Sequence, residues 1–212
     1  MRPTSPHRFR TTVATGIAGL AAAFAVTAAA VPASATTSTI HATYKVTGST
    51  FLKAPNVTLP LGLGKLVANL NPATGNIRAT LTMPDATLSF NQFGIVPVTA
   101  TTHFINSGPT TGKLNINAGA VTTTSHLTFQ LTSLSVAGIN IPLGPSCESS
   151  TPAVIQVTSQ PGFNIIKGGN LAGTYTIPQF ANCGLNTLLI NLTVPGSGNI
   201  ISLKLGKGKV IP

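Results

Sequence analysis

The chain has 212 residues and carries twelve Lys and Arg against two Asp and Glu, a formal net charge of +10, with no Trp and two Cys. Asp85 and Glu148, the only acids, leave glycoside hydrolysis one pair of carboxylates to draw on and a Ser-His-Asp triad the same two candidates. The basic residues are sparse and scattered, with only Lys204, Lys207 and Lys209 forming a cluster, rather than set in dense stripes among aromatics, which argues against a nucleic-acid-binding surface.

Arg2, His7, Arg8 and Arg10 open the chain, a weakly apolar run covers residues 13–31, and Ala33-Ser34-Ala35 follows. A charged start, an apolar middle and small residues before the cut are the parts of a secretory signal peptide, with cleavage expected after Ala35. Ala with Gly16 and Gly19 inserts weakly into a bilayer, so residues 1–35 read as a leader rather than an anchor. The mature chain, residues 36–212, is expected to be secreted, without a transmembrane segment, and either released or held at the cell surface by noncovalent contacts. It keeps nine basic residues against the two acids, a net of about +7. Cys147 and Cys183 are the only cysteines, and in an exported chain such a pair reads as a disulfide.

Read in order, the mature chain alternates with period two. Ile40, Ala42, Tyr44 and Val46 alternate with His41, Thr43 and Lys45, and Ile77, Ala79, Leu81 and Met83 with Arg78, Thr80 and Thr82. The habit continues through 96–100, 127–131, 171–177, 190–194 and 201–205. It puts an apolar set on a buried sheet face and a Thr-rich set on a wet one, as in antiparallel sheets. Turn signals rich in Gly, Pro and Asn fall at 71–75, 106–109, 144–145, 160–162, 167–169 and 195–198. No stretch shows a capped helical period; the nearest, 61–70, is weakened by Gly62 and Gly64. The expected fold is all-β, an antiparallel sandwich or barrel of about ten to thirteen short strands in one domain over 36–212.

One stretch recurs. Gly75, Asn76, Thr80, Thr82 and Pro84 return at the same offsets as Gly169, Asn170, Thr174, Thr176 and Pro178. Upstream, Val57, Leu59, Pro60, Leu61 and Gly62 are echoed by Ile139, Ile141, Pro142, Leu143 and Gly144. The two echoes predict an internal duplication with halves near 40–118 and 122–210. Carried back along the repeat, Cys147 and Cys183 fall on Lys65 and Ser89, which are then expected to be neighbours.

Chemistry is sparse. His41 and His126 fall on the Thr side of their strands. No Gly-x-Ser-x-Gly elbow, HExxH or CxxC spacing, phosphate loop or dinucleotide fingerprint is present, so no catalytic residue, metal ligand or cofactor is assigned. Asn56-Val57-Thr58 and Asn191-Leu192-Thr193 match the N-glycosylation pattern, which a Thr-rich chain produces by chance. The Ala-rich leader, Thr-rich strands and scarcity of acid resemble uncharacterised secreted β proteins of high-GC actinobacteria, a resemblance of style that brings no activity with it.

Two noncatalytic functions fit. One is a surface or matrix protein that binds through its Thr-rich faces, with an anionic cell-wall polymer, a polysaccharide or a lipid as partner. The other is a carrier that holds a lipid or other apolar ligand in a sheet cavity, with 90–98 and 185–192 supplying apolar material beyond simple alternation.

Overall fold

The structure is a computed structural model and describes residues 39–211. The expected leader and its Ala35 cleavage site lie outside the described residues. In chain order the strands are β1 (Ile40–Leu52), β2 (Val57–Leu70), β3 (Asn76–Thr82), β4 (Ala86–Gln92), β5 (Val96–Asn106), β6 (Thr110–Leu114) and β7 (Val121–Val136). They continue with β8 (Ile139–Asn140), β9 (Glu148–Ser149), β10 (Ala153–Ser159), β11 (Gly169–Ile177), β12 (Phe180–Ala181), β13 (Gly196–Leu205) and β14 (Lys209–Ile211). A 3-10 turn, Gly184–Asn186, and one short helix, α1 (Thr187–Thr193), stand between β12 and β13.

Eight of the strands close into an antiparallel barrel in the order β1-β2-β3-β6-β7-β10-β11-β13. Pairing of Val46 with Leu205 through Phe51 with Ile200 seals β13 back onto β1. Each barrel strand is therefore joined in sequence to its spatial neighbour, as in up-and-down barrels, and closure leaves the barrel no free edge. The expected all-β class holds, and the sheet closes on itself rather than splitting into two layers.

The connections divide by end. At the upper end, where β1, β3, β7 and β11 begin, the loops are short. At the lower end only the β1–β2 turn is short. The β4–β5 hairpin is inserted between β3 and β6 and lies against the far half of β7, where Phe104 of β5 faces Phe129. β8 and β9 are inserted between β7 and β10, and β12 with α1 between β11 and β13. The expected disulfide is present: Cys147 and Cys183, both fully buried, join these last two insertions with Cα atoms 4.3 Å apart.

The helix corrects one expectation. Residues 190–194 alternate in sequence but belong to α1 and its end, where Ile190 alone is buried. Leu188, Ile190, Leu192 and Val194 satisfy a strand pattern while Leu188, Leu189 and Leu192 stand at helical spacing, so the run fits both periods and the helix is set by its anchor. Asn191 accepts from the Phe180 amide at 2.7 Å and donates back to the Phe180 carbonyl at 2.9 Å. Its amide is thus committed within the fold, which leaves the Asn191 glycosylation pattern a chance match.

The upper-end loops share one design, which the turn signals mark in full at 71–75 and in part at 167–169. Asn71, Asn115 and Asn164 each begin a five-residue turn that ends in Gly75, Gly119 and Gly168. Each Asn side chain accepts from the amides two and three residues on: Ala73 and Thr74, Asn117 and Ala118, Ile166 and Lys167, all at 2.9–3.1 Å. Each Gly amide donates to its Asn carbonyl, and each Gly has positive φ, between 67° and 85°. Asn supplies the side-chain acceptor and Gly the left-handed end.

The repeat anchors lie on two such strands. β3 and β11 occupy the third and seventh places of the eight-strand circuit, opposite one another. Ile77 and Ala79 point inward, as do Leu171 and Tyr175, while Thr80, Thr82, Thr174 and Thr176 are exposed on the outer wall. The upstream echo behaves differently. Val57 to Gly62 lies in barrel strand β2, whereas Ile139 to Gly144 begins in β8, outside the barrel. Lys65 is paired with Lys45 and Thr82 in the wall, and Ser89 with Thr99 on the inserted hairpin. The carry-back from the cysteines thus rests on an anchor whose two copies occupy different structures.

Candidate functional site

Inward side chains fill the lower part of the barrel. Phe129 packs edge-on against Phe104, with ring centroids 6.0 Å apart, and at a tilt against Tyr175, at 6.2 Å. The Tyr175 hydroxyl meets Thr50 Oγ1 at 2.8 Å, and Thr50 donates onward to the Ile200 carbonyl. Asn199, 1% exposed, donates to the Tyr175 and Gly196 carbonyls and accepts from the Lys53 amide. These bonds satisfy a polar group that would otherwise be costly to bury.

Above this plug the barrel is hollow. A cavity of about 270 Å³ is lined by every one of the eight barrel strands. An eight-stranded barrel is just wide enough either to fill with side chains or to hold one small ligand, so side-chain size decides between the two. Here the register aligns small residues across one level of the wall. Ala42 faces Ala68, Ala68 faces Ala79, and Ala79 faces Thr110. Thr110 in turn hydrogen-bonds Ser125 at 2.7 Å. Five successive strands thus contribute one small side chain each to the same belt, and the space they leave is the cavity. Opposite them stand Ile155, Leu171, Ile201 and Leu205.

The lining carries no Lys, Arg, Asp, Glu or His. Its polar groups are the Thr110–Ser125 pair, Thr123 and Tyr44, whose phenol is neutral at physiological pH like any phenol and has its pKa raised further by burial. A charge placed inside would lose its hydration with no partner ion, whereas an apolar group loses nothing.

The cavity reaches the surface at the upper end. Ile40, Ile166 and Val210 line it while remaining 38%, 61% and 58% exposed. The loop 160–168 lies across this mouth with Phe163, Ile165 and Ile166 turned to the cavity. Two bonds hold it: Tyr44 donates to the Ile165 carbonyl and the Gly208 amide to the Ile166 carbonyl, each at 2.8 Å. Gly208 is needed there, because a β-carbon would stand 2.7 Å from the Tyr44 ring. Gly169, at φ +146°, similarly lets the loop's Phe163 approach the start of β11.

The residues weighed for chemistry lie elsewhere. Asp85 follows β3 at the lower end and is hydrogen-bonded to His103, both about half exposed. Glu148 pairs with Gln130 and Ala181 beside the disulfide. His41 bonds Asn69 on the outer wall, and His126 faces Val154. Among the described residues no cluster of three or more His, Cys, Asp or Glu could hold a metal, and no helix is long and apolar enough to cross a membrane.

The stretches expected to furnish a ligand cavity do not line it. Phe93 and Ile95 stand at the tip of the β4–β5 hairpin, and Leu185, Leu188 and Leu192 are exposed around α1. The cavity arises instead from Ala, Thr and Ser positions that alternation alone marks as ordinary inward residues. Comparison with protein-family models, curated proteins and solved structures finds no match to this chain.

Proposed function

We propose that the protein is a noncatalytic extracellular carrier that encloses an uncharged apolar molecule, or the apolar part of a lipid, within its barrel. The observation that carries this reading is the uncharged cavity of about 270 Å³ lined by all eight barrel strands. Its size lies just below the ~300–1,000 Å³ typical of small-molecule pockets. Such a ligand fits as one chain or small ring system, with any charged group left at the mouth. The cavity favours a carrier over a surface protein acting through its Thr-rich outer wall. Secretion accords with the signal-like leader and with the buried disulfide.

The same reading takes the barrel as one strand-strand-strand-strand unit used twice, β1-β2-β3-β6 and β7-β10-β11-β13. Support comes from the recurring Gly-Asn-x-x-x-Thr-x-Thr-x-Pro stretch on β3 and β11, four places apart in the circuit.

The test is titration with N-phenyl-1-naphthylamine, a neutral fluorophore. Ala79→Phe places a ring in the cavity and is expected to weaken binding at least about tenfold. A Leu188→Ser, Leu192→Ser variant, which alters the exposed α1 face, should bind as the parent does. Unchanged binding by a folded Ala79→Phe protein would remove the carrier reading.

A further inference from the structure

The barrel is electrically lopsided along its axis. Lys113 and Lys204 stand next to the upper ends of β6 and β13, Lys167 lies in the mouth loop, and Lys207 and Lys209 flank Gly208 beside it. Both acids of the chain, Asp85 and Glu148, lie at the lower end. Among these cations the upper end also exposes aliphatic side chains: Ile116 in the β6–β7 turn, Ile166 over the mouth, and Val210 and Ile211 on β14. Lysines that ring exposed aliphatic tips match a phospholipid surface, with charge for the headgroups and apolar groups for the boundary beneath them.

We propose that the mouth end docks on an anionic phospholipid surface, with Lys167, Lys207 and Lys209 on the headgroups and Ile166 and Val210 entering the interface. The proposal rests on the carrier reading for its purpose, since a mouth pressed to a bilayer lets an apolar ligand pass without crossing water. Charge decides the occupant: a second copy would bring the same cations against themselves. The lower end also exposes apolar side chains, leucines at α1 and Phe93 and Ile95 at the β4–β5 tip, but among the described basic residues only Lys53 in the β1–β2 turn stands there.

The experiment is cosedimentation of the full mature protein with vesicles of phosphatidylglycerol and phosphatidylcholine in equal parts, beside vesicles of phosphatidylcholine alone. The parent protein should pellet with the first and not the second, and added salt should release it. Each basic residue at an anionic surface contributes about fivefold, so Lys167→Gln, Lys207→Gln, Lys209→Gln together should weaken binding on the order of 100-fold. None of the three lines the cavity, so this variant should still bind N-phenyl-1-naphthylamine in buffer, which also shows that it is folded. Vesicle binding that survives the triple change, is equal on uncharged vesicles, or is lost only in Leu188→Ser, Leu192→Ser would overturn the proposal and leave the carrier reading standing. Self-association through the mouth without vesicles would overturn it as well. A parent protein that binds vesicles but no fluorophore keeps the docking and removes the carrier.

Discussion

The two ends of the barrel are made from the same eight strands yet differ in almost everything else. The lower end carries the insertions, the disulfide, the aromatic plug and both acids. The upper end carries three copies of one Asn-to-Gly turn, a loop held by Tyr44 and Gly208, and the opening of an apolar cavity. A closed barrel needs a core for stability, and it cannot be packed and hollow at the same level. Here the two demands are separated along the axis. The lower half is packed and tied, which leaves the upper half free to be hollow.

Truncation should cost more at the plug than around the void. Phe129→Ala removes a ring packed between two aromatic neighbours and is expected to destabilise by about 4 kcal/mol. Leu171→Ala trims a wall that already borders empty space and should cost about 2 kcal/mol, the low end for such a change. Urea denaturation of the two variants is the measure; equal losses would mean that the two levels are packed alike.

The disulfide ranks next. It closes a loop with a sequence separation of 36, for which chain entropy gives at most about 4 kcal/mol. Cys147→Ala, Cys183→Ala should therefore lower stability by about 3 kcal/mol. Because the bond joins two lower-end insertions, the folded variant should bind the neutral fluorophore with unchanged affinity. A drop in affinity would show that the lower end shapes the cavity after all.

How much of this was legible in the sequence follows the same division. Period-two alternation around Thr gave the sheets and their inward faces, and two cysteines in an export-like chain gave the bond. Closure was not legible, because nothing in Val46 or Leu205 says that the last long strand returns to the first. Nor was the cavity: Ala42, Ala68, Ala79, Thr110 and Ser125 become a belt only when pairing registers bring them level. The apolar runs at 90–98 and 185–192 misled for the converse reason, since apolar content does not tell inward from exposed. The Asn-to-Gly turns were in plain sight at 115–119 and 164–168, but Ile116 and Ile165 follow the Asn there, in the place of the proline that marked 71–75.

Hydroxyl deletions sharpen the comparison further. Tyr175→Phe breaks the bond to Thr50, which keeps its bond to the Ile200 carbonyl, so the cost should be about 1 kcal/mol. Burial raises the Tyr175 phenol above 10.0, with the Thr50 bond acting in the opposite, smaller sense. A phenol that ionises later in the folded state than in the unfolded one leaves stability untouched below about pH 10 and erodes it as pH rises through the folded value. Removing Tyr175 should make that alkaline decline shallower. A decline as steep as the parent's, read by urea midpoints across the alkaline range, would show that this phenol is not a source of it.

Tyr44→Phe is the smallest change in energy and the most specific in effect. The lost bond to the Ile165 carbonyl lies at the edge of the mouth, where water can replace the hydroxyl, so stability should fall by only about 0.5 kcal/mol. The remaining bond from Gly208 to Ile166 keeps the loop in place on average but no longer from both sides. Opening should then be more frequent without being favoured at equilibrium. Amide exchange of Gly208 should quicken, and the fluorophore should leave and enter a few times faster while its affinity changes little. Tyr175→Phe, made at the plug, should alter neither rate. If Tyr44→Phe leaves the exchange rates of the ligand unchanged, the loop over the mouth is a fixed part of the wall, and the ligand passes by another route between the strands.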